Sequence, residues 1–170
     1  MNAEELRARQ APLKTRYQQD PGSALRVLSA RGRLDVNAQT VRIETGHGQV
    51  LAGLHPATGG SGEEACSGDM LLESLAACAG VTLSAVATAM GITIRDGTVT
   101  AEGDLDFRGT LGVSKEAPVG FKAIRLRFAL DTEATDEQLT SLLRLSERYC
   151  VIFQTLKQPP QLSLERERLV

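Results

Sequence analysis

The stretch Gly59–Gly91, GGSGEEACSGDMLLESLAACAGVTLSAVATAMG, changes character partway along. It opens as a loop of glycines and acids, Gly59 to Glu64. It then becomes the most apolar helical pattern in the chain. Met70, Leu71, Ser74, Leu75, Cys78, Val81, Thr82, Ala85 and Met90 recur at spacings that suit a helix. Ser67 or Asp69 is placed to cap its start, and an acid there also suits the positive pole of the helix dipole. Gly91 supplies the stop. Small and apolar residues surround much of the circumference, so this helix is expected to be buried on several sides at the centre of the fold. Cys78 sits mid-helix in the run Ala76-Ala77-Cys78-Ala79-Gly80. On residue type alone, a free cysteine among alanines reads as core filling. The competing reading is a thiol that works.

Upstream, residues 3 to 20 read as a weakly amphipathic helix that Pro12 would kink or break and Pro21-Gly22-Ser23 would end. Residues 1–23 form an arm suited to a dimer contact. Three strands are expected next: Ala24 to Val36, Thr40 to Thr45 and Gln49 to Leu54. Turns at Asn37-Ala38 and Gly46-His47-Gly48 would fold them into an antiparallel meander. Downstream, Ile92 to Arg95 leads into a long strand over Gly97 to Arg108, with Gly103 marking a bulge. Gly109 to Gly120 is a loop. Phe121 to Asp131 alternates, with Ile124, Leu126, Phe128 and Leu130 facing inward. Thr135-Asp136-Glu137-Gln138 is a capping box that starts a second helix. Val151 to Leu156 continues helically until Pro159-Pro160, and Gln161 to Val170 reads as a closing edge strand with Leu162 and Leu164. Runs of strands separated by helices indicate an α+β fold in a single domain, residues 1–170.

Composition excludes several functions. The 170 residues carry a formal net charge of −2, 24% charged and only 4% aromatic residues, with no Trp. Neither a basic surface nor a stacking platform for nucleic acid is supplied. The apolar run Leu75 to Met90 is short and rich in Ala, Ser and Thr for a membrane span, and the N-terminus MNAEELRARQ is charged where a signal peptide would be apolar. A cytoplasmic protein is the expectation, with no membrane and no nucleic acid as partner. Three cysteines argue against a structural disulfide framework.

No metal or cofactor is implied. Cys66, Cys78, Cys150, His47 and His55 show no zinc-site spacing. Both histidines fall in turns or loops, where a solvated imidazole is the plain reading. Gly59 to Gly62 precedes a helix but lacks any phosphate-loop pattern, and Glu63, Glu64 and Asp69 would repel an anion. Cysteine nucleophilicity is the remaining chemistry. Cys150 stands where a new helical stretch begins, with Arg148 beside it, and both features lower a thiol pKa.

Gly68-Asp69-Met70-Leu71-Leu72-Glu73-Ser74-Leu75-Ala76-Ala77-Cys78 resembles the central-helix segment of the OsmC/Ohr superfamily. Cys150 in Cys-Val-Ile-Phe-Gln-Thr-Leu resembles that family's second cysteine. The resemblance covers roughly residues 24 to 170 and fits the OsmC-like branch better than Ohr enzymes. It implies an antiparallel α+β fold around a long helix, an intertwined homodimer, and active sites at the subunit interface. It also implies a thiol peroxidase active in oxidative stress defence. Cys78 would attack the O–O bond of an organic or inorganic hydroperoxide, and Cys150 would capture the sulfenic acid as a disulfide. A thiol reductant, a dithiol or a lipoyl protein, would reset the pair. An arginine held by a carboxylate would activate Cys78. Asp69 stands where the family has Glu, and Arg33, ahead of Arg31, is the nearest match for the arginine. The proline after the second cysteine is Val151 here. Cys66 has no counterpart and reads as a spare exposed thiol. Two other readings stay open: a small-molecule or acyl-chain binder of this fold with weak or no peroxidase activity, and a structural dimer module.

Overall fold

A computed structural model of the chain describes residues 1–46 and 48–168. His47 and the last two residues of the expected closing strand lie outside the described residues. In chain order the elements are α1 (Ala3–Gln19), β1 (Arg31–Asp35), β2 (Thr40–Thr45), β3 (Gly48–Gly53), β4 (Ala65–Cys66), α2 (Ser67–Met90), β5 (Ile94–Leu105), α3 (Phe107–Thr110), β6 (Phe121–Thr132), α4 (Asp136–Tyr149) and α5 (Val151–Lys157).

The apolar pattern builds α2 as a 24-residue helix. It starts at Ser67, so its N-cap falls one residue before the earlier of the two expected caps. Cys66 takes the extended N-cap position without a side-chain bond, and Asp69 sits in the first turn. Gly91 ends it in the left-handed conformation (φ 69°), its N–H donating to the Ala87 and Thr88 carbonyls. Burial is narrower than expected. One row, Leu75, Ala79, Leu83 and Ala87, is buried. Val81, on another face, is 73% exposed. The apolar surface of α2 is therefore only partly buried within the chain.

That row packs on an antiparallel hairpin of β5 and β6, two 12-residue strands. Leu75, Ala79 and Cys150 cluster with Val99, Ala101, Ile124, Leu126 and Phe128. Leu83, Ala87 and Leu142 cluster with Ile92, Ile94, Phe128 and Leu130. The inward alternation along β6 thus meets α2 as the period-2 pattern requires. The ladder slips between Asp104 and Leu105 rather than at Gly103. Gly103 has a different role: a Cβ there would lie 2.5 Å from the Phe121 ring. Phe107 and Arg108, expected as strand, turn into α3. The Asp106 side chain accepts from the Arg108 N–H and caps that turn.

α4 begins at the capping box, with Thr135 and Gln138 exchanging side-chain bonds. It ends on Cys150, which is also the N-cap of α5. The remaining strands form a second sheet, ordered β1-β2-β3-β4, in which β4 runs parallel to β3. β1 is shorter than the expected Ala24–Val36. Leu25, Val27 and Leu28 are exposed and outside any strand, because nothing pairs with them. α1 has its own capping box from Asn2 and Glu5, continues through Pro12 without a break, and buries none of its residues. The expected closing strand is absent over residues 161–168: Leu162 and Leu164 are 86% and 99% exposed. Alternating leucines favour a strand only where a neighbouring edge supplies the ladder.

Candidate functional site

The site follows from how α2 and the α4–α5 junction meet. Cys78 precedes the buried Ala79, so its side chain points to the flank of the buried row. There it joins the cluster centred on Leu75, Ala79 and Cys150. Cys150 is 1% exposed, held at a corner where one helix ends and the next begins. Both are free thiols.

The first turn of any helix leaves N–H groups without intrahelical partners. At α5, Gln154 already donates to the Cys150 carbonyl. The N–H groups of Val151 and Ile152 face the Cys78 sulfur, while the Cys150 side chain makes no capping hydrogen bond. Burial pushes the Cys78 thiol up. The Ile152 N–H, the Cys150 thiol, the Val151 N–H and the Thr82 hydroxyl outweigh it, and together hold Cys78 below the ordinary thiol value. Burial pushes Cys150 up, and the neighbouring Cys78 sulfur adds to that rise against the Phe153 and Ile152 N–H groups. The pair is polarised. Cys78 is held below the ordinary thiol value and Cys150 above it. Hydrogen bonds to the charged form are what favour it.

Asp69 does not join the pair. It lies in the exposed first turn of α2, nine residues before Cys78. Nine residues of α-helix are two and a half turns, about 13 Å along the axis and on the opposite face. Arg31 and Arg33 stand on the exposed strand β1. Among the described residues no arginine is a hydrogen-bonding neighbour of Cys78. Arg148 lies over the Tyr149 ring, 5.4 Å from its centroid. Cys66 is at the far end of α2, about 18 Å from Cys78 by helix rise. The groups that sequence reasoning missed are Thr82 and the N–H groups of α5. The spacing of Thr82, one turn after Cys78, was the available signal. Backbone donors leave none.

A largely apolar groove of about 640 Å³ shares Leu75 and Phe153 with this cluster; Leu71, Phe121, Ile124 and Leu156 also line it, with Lys122 and Lys157, and neither cysteine does. The site so assembled brings together two free thiols, of which Cys78 is the more acidic.

Comparison with known proteins agrees with this arrangement at the level of the fold. The sequence profile of the OsmC-like protein family matches residues 60–165. No curated protein matches significantly. Among solved structures, an OsmC-like protein from Mycoplasma pneumoniae superimposes with a TM-score of 0.66 at 16% identity, covering 79% of this chain and 89% of that one. An organic hydroperoxide resistance protein OsmC from Legionella pneumophila gives 0.62 at 20% identity, covering 79% and 92%. An organic hydroperoxide resistance protein from Elizabethkingia anophelis gives 0.62 at 16% identity, covering 80% and 91%.

Proposed function

The chain belongs to the OsmC-like protein family, and we propose that it is a cysteine-based hydroperoxide reductase working through Cys78 and Cys150. The observation that carries this reading is the packing of two free thiols, Cys78 and Cys150, at the head of α5. The Cys78 thiolate attacks the distal oxygen of a hydroperoxide, the O–O bond breaks, and the alcohol leaves after taking up a proton. Cys78 is then a sulfenic acid. The Cys150 sulfur attacks it, water leaves, and a disulfide forms. A dithiol restores both thiols. The largely apolar groove bordered by Leu75 and Phe153, which pack in the same cluster as the pair, suits an alkyl hydroperoxide.

The same reading includes a homodimer. The uncovered face of α2 near Val81 and the exposed meander support it. In that arrangement Arg33 of a second copy supplies a cation to Cys78, while Asp69, on the opposite face of α2, takes no part. A cytoplasmic setting, in which thiols stay reduced between turnovers, goes with it.

The test is hydroperoxide consumption with a dithiol donor, using cumene hydroperoxide and hydrogen peroxide. Cys78→Ser should reduce turnover to background. Cys150→Ser should leave a Cys78 sulfenic acid that dimedone captures. Wild-type turnover by Cys78→Ser would refute the assignment. A second reading, a binder of apolar molecules on the same fold, draws on the lack of a guanidinium at Cys78 and the 640 Å³ groove. It requires an acyl chain to bind while neither thiol reacts with peroxide faster than free cysteine.

A further inference from the structure

A second cavity reaches Cys150 without including Cys78. It has a volume of about 430 Å³ and lies between β6 and the α4–α5 junction. Leu126, Phe128, Leu143 and Phe153 form apolar walls, and Arg127 and Glu147 also line it. Cys150 and Ser146 line it together, both almost fully buried. Ser146 lies one helical turn before Cys150, and its own carbonyl accepts the Cys150 N–H. Among the described residues, the Ser146 hydroxyl is the buried side-chain polar atom with no hydrogen-bond partner. An unpaired buried hydroxyl is destabilising, because it has given up its bonds to water without replacement. One that borders a cavity beside a redox thiol fits a polar atom that arrives with a ligand.

Disulfide exchange explains why such a cavity is needed. A thiolate attacks one sulfur of a disulfide along the S–S axis, on the side away from the leaving sulfur, and the better-stabilised thiolate leaves. Cys78 is the better leaving group, since the Val151 and Ile152 N–H groups hold its anion. Cys150 is then the sulfur attacked, and the attacking thiol needs space at Cys150 that Cys78 does not fill. We propose that this cavity is the port through which a small dithiol with an apolar chain reaches the Cys78–Cys150 disulfide, with the Ser146 hydroxyl donating to the incoming sulfur. The proposal rests on the thiol-pair reading above.

The step balances. One thiolate of the reductant bonds to the Cys150 sulfur. The intramolecular S–S bond breaks and its electron pair leaves on Cys78. The second thiolate of the reductant then attacks the reductant's own sulfur in the mixed disulfide, and Cys150 departs and takes up a proton. The dithiol loses two electrons and becomes a disulfide; the cysteine pair gains them.

The experiment uses the full chain in a Cys66→Ser background, with the disulfide formed by diamide. Loss of the peroxide reaction would therefore leave this test intact. Trapping with the monothiol 1-butanethiol, followed by peptide mass spectrometry, should place the adduct on Cys150. Reduction by 1,4-butanedithiol should slow at least tenfold in Leu143→Trp, which fills the cavity. It should slow severalfold in Ser146→Ala, with the pH–rate profile displaced upward. Disulfide yield and melting temperature report that each variant is folded, and Ser146→Ala should melt no lower than the parent. An adduct on Cys78, or wild-type reduction rates in both variants, as a merely water-filled cavity predicts, would overturn the proposal.

Discussion

Replacing Val151 by proline removes one donor from Cys78 and little else. The Val151 N–H is one of the groups that hold the Cys78 thiol down. Val151 is the first residue of α5, the position where proline is best tolerated because the N–H has no intrahelical partner there. Cys150 before it is already extended (φ −74°, ψ 110°), as a residue preceding proline must be. The side chain is exposed, so no core packing is lost. The fold should therefore survive.

A hydrogen bond to a charged group contributes about 1.5–3 kcal/mol. Val151 ranks behind Ile152 and Cys150 among the groups that lower the thiol, so the low end applies. About 1.4 kcal/mol is tenfold in the thiolate fraction at a pH below the midpoint. The more basic thiolate is also more nucleophilic, by about threefold for that change, given a Brønsted slope of about 0.4–0.5. The two effects oppose each other at low pH and leave a net loss of about threefold. At a pH where both proteins are fully ionised only the second survives, and the variant should react about threefold faster. The assay is the pH dependence of iodoacetamide alkylation at Cys78, followed by peptide mass spectrometry in a Cys66→Ser background. The expected result is a pair of curves that cross. Curves that superimpose, or a variant slower at every pH, would refute the claim that the Val151 N–H holds the anion.

Two further predictions concern stability and ionisation. Leu75→Ala, at a side chain 1% exposed against Cys150, should destabilise the fold by about 3 kcal/mol; urea unfolding showing less than about 1 kcal/mol would contradict the core assignment. The Arg108 guanidinium holds the Asp106 carboxyl down at about 2. A depressed carboxylate contributes its stability in full above the ordinary carboxylate range and loses it as pH falls through its folded value. Carbon-13 titration of Asp106 should move toward the ordinary range in Arg108→Gln, and an unmoved midpoint would remove that ion pair from the account.

What could be read in the sequence were the elements whose partners lie close in the chain or whose ends carry chemical signals. Gly91 stops α2, Thr135 and Gln138 start α4, and the alternation from Ile124 to Leu130 gives β6 its inward face. Each signal is local. Patterns failed where they needed a neighbouring edge that the described residues do not provide. Leu25 and Val27 alternate, as do Leu162 and Leu164, yet neither segment has an edge to pair with. Asp106 took Phe107 out of the strand because a cap on a four-residue turn leaves little trace in hydrophobic period. At the site, the two cysteines were legible, and their polarity was not. It arises from backbone N–H groups at Val151 and Ile152, which any residue but proline would supply.

The placement of Asp69 and Arg33 sharpens one last question, which is whether Cys78 needs a cation. Within the protomer the N–H groups of α5, the Cys150 thiol and Thr82 already favour the anion. A guanidinium in contact at about 4 Å would add up to about 4 kcal/mol at an effective dielectric of about 20, more than any single N–H contributes. If Arg33 of a second copy occupies that position, Arg33→Met should slow Cys78 alkylation near neutral pH by more than Val151→Pro does. The loss should also appear in the wild type on dilution, because dissociation removes the arginine as surely as the substitution does. Gel filtration across the same concentrations ties the two together. Should Arg33→Met react at the wild-type rate while Val151→Pro is slowed, the anion is held without a guanidinium. Arg33 then has no place in the site.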